Sequence, residues 1–191
     1  MSHDTRALNR RSGHFEDEAE LWLFGYGSLI WKADFAYIER RPASLGGWSR
    51  RFWQGSHDHR GTPHRPGRVV TLVADAHAVC AGMAYRITPT VFGHLDHREK
   101  NGYLRLALPI RFRDGETADA LVYVADAGNA AWLGPAPVPA IAADIATAHG
   151  PSGSNREYLE RLGEALRALE AVDEHVEAIL RALPAQDRLI R

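Results

Sequence analysis

"LRLALPIRFRDGETADALVYVA", residues 104–125, sets the character of the front of this chain. Leu104, Leu106, Leu108, Ile110 and Phe112 alternate with Arg105, Ala107, Pro109 and Arg111, the period of a half-buried strand. "RDGET" then supplies a turn into a second apolar run, so strands at 103–112 and 120–125 form a hairpin. Pro109 cannot donate to a ladder, which puts it on an edge strand or at a bulge. Upstream, "VCAGMAYRI" places Val79, Ala81, Met83, Tyr85 and Ile87 on one strand face, and further strands are expected at 21–24, 47–54 and 68–73.

Between the strands, Thr88-Pro89 opens a short helix that buries Val91, Phe92 and Leu95 and runs out near Arg98-Glu99. Downstream the period changes to that of helices. One starts near Pro139, carries Ile141, Ile145 and Ala148, and stops at Gly150 as its C′ residue. The next opens on "SNRE", where Ser154 and Glu157 form a capping-box pattern ahead of Tyr158, Leu159, Leu162, Leu166 and Leu169. A last helix covers about 173–183. Strands followed by helices predict an α+β domain whose antiparallel or mixed sheet curls into a small barrel.

The 191 residues fit one domain and can bury a core without staples. We expect a polar, mobile arm at 1–20, a folded domain at 21–183 and a tail at 184–191. A net charge of −1 exerts no general pull on nucleic acid or anionic membrane. The lone Cys80 excludes an internal disulfide framework and suits a reducing cytoplasm. Apolar runs are too short for a transmembrane helix, and the N-terminal residues lack the apolar core of a signal peptide.

Several chemistries compete for the polar motifs. "GYGSLI" lacks the third glycine of a dinucleotide fingerprint, and "GPSGSN" lacks the lysine of a phosphate loop. His57, Asp58, His59 and His64 crowd one segment, and a metal-dependent hydrolase built on His57, His59 and His64 is one reading. The segment is rich in turn formers, however, and the chain has 10 His, so clustering by chance is unsurprising. Arg50, Arg51, Arg60, Arg65 and Arg68 lie among Phe52 and Trp53; with no basic excess overall, they suit a small acidic ligand better than nucleic acid. Asp96 and Glu99, three apart in "LDHREKNGY", share a helix face and by themselves read as an ion-paired helix end.

In combination, "FGYGSLIW", "RRFWQGSHDHRGTPHRPGRVVTLV", "AYRI", "LDHREKNGY", "WLGPAP" and "GPSGSNREYL" occur in the order seen in the ChaC family, which this chain resembles over roughly residues 21–183. The members of that family are glutathione-specific γ-glutamylcyclotransferases. The resemblance implies a γ-glutamylcyclotransferase-like fold, a small barrel-like mixed sheet with flanking helices. It also implies cleavage of glutathione to 5-oxoproline and cysteinylglycine. We expect a cytoplasmic monomer without metal or other cofactor. Carried over by position, Glu99 is the catalytic acid/base. Leu23, Phe24, Gly25, Tyr26, Gly27, Ser28 and Leu29 form the substrate-binding loop, and Tyr158 faces the site. His57, where the family often has Thr, and "AGMA", where it has Trp-Gly-Val-Ala, are departures outside the two central motifs. A non-catalytic binder of γ-glutamyl or other small anionic ligands is the remaining alternative.

Overall fold

In the computed structural model, which describes residues 4–12, 15 and 17–185, five strands close into a barrel. They are β1 (Leu21–Gly25), β2 (Glu39–Ser56), β3 (Gly67–Ile87), β4 (Leu104–Phe112) and β5 (Thr117–Val124), arranged β1-β3-β2-β4-β5. All neighbours are antiparallel except the closing pair, where Trp22 and Leu23 of β1 run parallel to Ala120 and Leu121 of β5. The sheet is therefore mixed, and the expected hairpin is β4–β5, paired from Leu104↔Val124 to Arg111↔Thr117. β4 meets β2 only at Ala43↔Phe112 and Ser44↔Arg111, leaving most of its far edge open, so Pro109 forfeits no ladder bond there.

Two strand expectations change. The runs at 68–73 and 79–87 are one strand, β3, and β2 begins eight residues before the expected start at 47. The register shifts between Gly46 and Trp48, where residues 75–78 arch out opposite Gly47, whose φ of +81° suits glycine. Val79 stands beside that arch and is 70% exposed, so only the later part of its expected face is core: Met83, Tyr85 and Ile87. The early part of β2, "ERRPASLG", carries charges and a proline in place of apolar alternation, so its pairing is set by β3 rather than by its own pattern.

α1 (Arg6–Ser12) precedes the barrel and is tied to it: Asn9 Nδ2 donates to the Tyr103 carbonyl, and Asn9 Oδ1 accepts the Arg105 N–H. α2 (Phe92–Arg98) follows a 3-10 turn at Pro89–Val91, as expected from Thr88-Pro89. α3 (Val138–Thr147), α4 (Asn155–Ala168) and α5 (Glu174–Ala182) pack together on the barrel. Ser154 caps α4 by accepting the Glu157 N–H at 3.1 Å. Gly150 is not the C′ residue of α3, whose cap is Ala148. It lies so close to the loop before β3 that a Cβ there would fall 2.3 Å from the His59 carbonyl oxygen.

The core has two parts, one on each face of β1. Phe24 and Tyr26 join Phe52, Leu72, Val122, Ile141, Leu159 and Ile179. Leu21, Leu23 and Leu29 join Tyr85, Ile87, Leu121 and, from α2, Phe92 and Leu95. A strand buried on both faces explains the unbroken apolar start of "LWLFG". Each such side chain contributes about 1.5–3 kcal/mol by leaving water, so α2 is held firmly where its last turn meets the end of β1.

Candidate active site

β1 gives up its pairing at Gly25, and the chain crosses the barrel mouth through Tyr26 and Gly27 into a 3-10 turn, Ser28–Ile30. Tyr26 is buried, its hydroxyl donating to the Tyr123 carbonyl at 2.6 Å. The glycines on either side are there for space. A Cβ on Gly25 would sit 2.4 Å from Leu29 Cβ, and one on Gly27 would sit 2.9 Å from both the Tyr158 hydroxyl and Val70 Cγ2. The leading N–H groups of the 3-10 turn, at Ser28 and Leu29, have no partner inside it, as at any helix start.

Across from this loop, Glu99 caps the C-terminus of α2, its N–H bonding the Leu95 carbonyl at 2.8 Å. Its side chain is 17% exposed. Burial pushes its pKa up; nearby Asp34 and Asp58 push the same way, while Arg98 opposes them. Arg98 is the clasp between the two segments. Its guanidinium donates to Ser28 Oγ (2.7 Å), to the Lys32 carbonyl (3.0 Å) and to Asp34, with Nε 3.3 Å from Glu99 Oε1. The helix-end ion pair is therefore present, but it walls a cavity instead of facing bulk water.

Two cavities meet at Glu99. The smaller, about 50 Å³, is walled by the six residues from Phe24 to Leu29 together with Val70 and Tyr123. The larger, about 160 Å³, opens past Trp31, Lys32, Asp58, Arg60 and Asn101. Ser28, Glu99, Tyr103 and Tyr158 border both. Tyr158 comes from α4, with its ring edge-on to Trp31 and Phe52 and the Arg60 guanidinium 5.7 Å above its face; burial raises its pKa to about 12. Tyr103 is likewise held neutral by burial, its hydroxyl donating to the Val70 carbonyl at 2.6 Å.

Of the residues expected at the site, Glu99, Phe24, Gly25, Tyr26, Gly27, Ser28, Leu29 and Tyr158 thus lie around one connected space. Leu23 does not line it: it points to the opposite face of β1 and is fully buried in the core beneath α2. The arginines grouped as a site for an acidic ligand part company. Arg60 lines the larger cavity, whereas Arg50 and Arg68 are buried struts on backbone carbonyls and on Asp173 and Asp144. His59 pairs with Ser152 Oγ at 3.0 Å, and among the described residues no three His, Cys, Asp or Glu side chains group as a metal site. Arg98, Tyr103 and Trp31 are wall residues not among those expected at the site, and Asp58, grouped in sequence with the histidines, joins them. Arg98 and Tyr103 flank Glu99 in "REKNGY", and that closeness was the available signal.

A closed mixed barrel with flanking helices is the fold of solved γ-glutamylcyclotransferases. A solved structure described as "Gamma-glutamyl cyclotransferase" superimposes with a TM-score of 0.55 at 14% identity, over 90% of this chain and 92% of that one. Residues 21–186 match the family of ChaC-like proteins, and the chain belongs to that family. It is 45% identical to Gamma-glutamylcyclotransferase 2-3 of Arabidopsis thaliana over 168 residues, covering 82% of this chain and 84% of the relative. It is 42% identical to Glutathione-specific gamma-glutamylcyclotransferase 1 of Homo sapiens over 177 residues, covering 87% and 80%. The crystal structure of the yeast γ-glutamylcyclotransferase specific to glutathione aligns with a TM-score of 0.79 at 30% identity, over 87% of this chain and 98% of the yeast chain.

Proposed function

We propose that this protein is a glutathione-specific γ-glutamylcyclotransferase, working as a cytoplasmic monomer, with Glu99 as its acid/base and the Phe24–Leu29 loop as the seat of the γ-glutamyl group. The observation that carries this reading is the position of the Glu99 carboxylate at the junction of the two cavities, the smaller of them walled by that loop. The small cavity suits the γ-glutamyl moiety, and the larger one, with Lys32 and Arg60 in its wall, suits the anionic cysteinylglycine portion.

In this reaction the substrate's α-amine attacks its own γ-carbonyl carbon. Folding the γ-glutamyl chain back on itself is a positioning problem, and good orientation can remove about 7–11 kcal/mol of barrier. Glu99 takes a proton from the amine as the ring C–N bond forms. It returns that proton to the amide nitrogen as the old C–N bond breaks, releasing cysteinylglycine without consuming water. Desolvation, which raises the proton affinity of Glu99, makes it a stronger base than an exposed glutamate and still able to serve as an acid. Negative charge that gathers on the carbonyl oxygen is met by fixed N–H groups of the loop, with no reorganisation required.

A metal-dependent hydrolase on His57, His59 and His64 is not favoured, since these side chains do not assemble with others into a ligand group among the described residues. A non-catalytic binder of small anions would gain nothing from a desolvated carboxylate in its pocket. Glutathione incubated in ¹⁸O-labelled water separates the readings by mass spectrometry. Cyclisation gives equal amounts of 5-oxoproline and cysteinylglycine with no label, and it survives exhaustive chelation. Labelled glutamate, or loss of activity on chelation with recovery on adding zinc, overturns the proposal.

A further inference from the structure

Arg50 takes no part in the proton transfers, yet it is 1% exposed, the largest side chain buried to that degree. A guanidinium cannot shed its charge, so it is buried only where partners hold it. Its Nε donates to the Tyr26 carbonyl at 2.7 Å, one terminal nitrogen donates to the Ala81 carbonyl, and the other to the Asp173 carboxylate. Asp173 is the N-cap of α5, its second oxygen accepting the Val176 N–H at 3.1 Å. Two residues on, His175 Nε2 accepts the Phe52 N–H at 3.2 Å, and burial keeps that imidazole neutral by lowering its pKa to about 4. The start of α5 therefore grips two same-face residues of β2, and Arg50 passes that grip on to the substrate loop.

What it grips there is a peptide plane. No cis peptide occurs among the described residues, and a trans peptide turns its C=O and N–H to opposite sides. Anchoring the Tyr26 carbonyl on Arg50 therefore turns the Gly27 N–H away from Arg50. A rotated plane would offer an oxygen instead of a donor at Gly27, which lines the small cavity and has only backbone to present. We propose that Arg50, held by Asp173, is a positioning residue that fixes the Tyr26–Gly27 peptide so that the loop presents N–H donors to an anionic oxygen of the γ-glutamyl group. This rests on the reading that the loop seats that group. It makes the first turn of the C-terminal helix part of the apparatus that prepares the site, because donors fixed before the reaction need no reorganisation during it.

Asp173→Asn is the cleanest probe, because Asn caps a helix as well as Asp and only the charge opposite Arg50 is lost. Arg50→Met removes all three bonds; Arg50→Lys restores a donor for the Tyr26 carbonyl but cannot span all three acceptors. At a temperature where circular dichroism reports every variant folded, kcat/KM for glutathione is expected to fall about 100-fold in Arg50→Met. Asp173→Asn should fall about tenfold on the same positional argument, and Arg50→Lys should recover part of the loss, with the change chiefly in kcat. Amide hydrogen exchange at residues 26–30 should rise in all three while β4 and β5 stay protected. A purely structural role gives a different pattern: lower melting temperature, exchange raised throughout the barrel, and wild-type kcat and KM per folded molecule. Unchanged exchange at 26–30 with wild-type kcat in folded Asp173→Asn and Arg50→Lys overturns the proposal, even if Arg50→Met fails to fold. A wild-type protein inactive on glutathione overturns the functional reading instead, and the exchange measurement still decides whether Arg50 braces the loop.

Discussion

α2 carries two carboxylates one turn apart, and their surroundings could hardly differ more. Asp96 is enclosed and fully partnered: Arg105 donates to it from two nitrogens, at 2.9 and 2.8 Å, and the Tyr123 hydroxyl donates at 2.7 Å. Glu99 has one long contact, 3.3 Å from Arg98 Nε, while Asp34 and Asp58 raise its proton affinity further after burial has done most of the work. Removing a charge from a satisfied buried pair damages the fold. Removing it from a desolvated, thinly partnered carboxylate removes chemistry. The same helix thus uses Asp96 to hold its place and Glu99 to act.

The sharpest way to break that contrast is to neutralise each in turn. Glu99→Gln should lower glutathione turnover by about 10²–10⁴-fold, the usual worth of a positioned acid/base, while its circular dichroism and urea midpoint show an intact fold. Asp96→Asn should do the reverse. It removes the charge from the buried Asp96–Arg105 pair and should cost about 3–5 kcal/mol in urea unfolding, with kcat of the folded fraction largely kept. If the two variants show the same balance of activity and stability, the contrast is wrong.

Gly27→Ala tests the wall opposite Glu99. Its Cβ would fall 2.9 Å from Tyr158 Oη and Val70 Cγ2, so the loop or these two wall side chains must shift, and kcat/KM should drop about tenfold or more. Glu99→Gln also has a stability signature. The folded-state pKa of Glu99 lies above its ordinary value of 4.5, so the native state binds its proton more tightly than the unfolded chain does. Native stability from this group is greatest at low pH and is lost as pH rises from 4.5 through the folded pKa. Gln carries no such penalty, so the variant should melt above wild type at pH 7–8, and the gap should close as pH falls. The smallest expected effect is Ser154→Ala, which removes the α4 cap that holds the lead-in to Tyr158 and should cost about 1 kcal/mol in thermal unfolding.

Much of the fold is legible in the sequence. The period-2 runs at 104–112 and 120–125, the proline-opened α2 and the capped α4 follow local rules, and local rules suffice where an element carries its own pattern. The long β2–β3 ribbon was not legible, because residues 39–46 are paired through β3 and the arch at 75–78 interrupts the alternation. At the site, the resemblance brought Glu99 and the "FGYGSL" loop together, although 70 residues separate Glu99 from Leu29. Leu23 packs in the core beneath α2; adjacency in a motif says nothing of which strand face a residue takes. The ties of Arg98 to Ser28, Lys32 and Asp34 depend on a fold that brings two distant segments together, so no local pattern carries them. For Arg50, composition suggested a ligand site, whereas burial makes it a strut.

The pH dependence of kcat/KM for glutathione tests the central claim most directly, because it reports the titration of the free enzyme's essential base. The account predicts an acidic limb with an apparent pKa above the 4.5 of an ordinary glutamate, and a residual rate in Glu99→Gln that no longer shows that limb. An acidic limb at or below 4.5, or one that persists unchanged in Glu99→Gln, would contradict it.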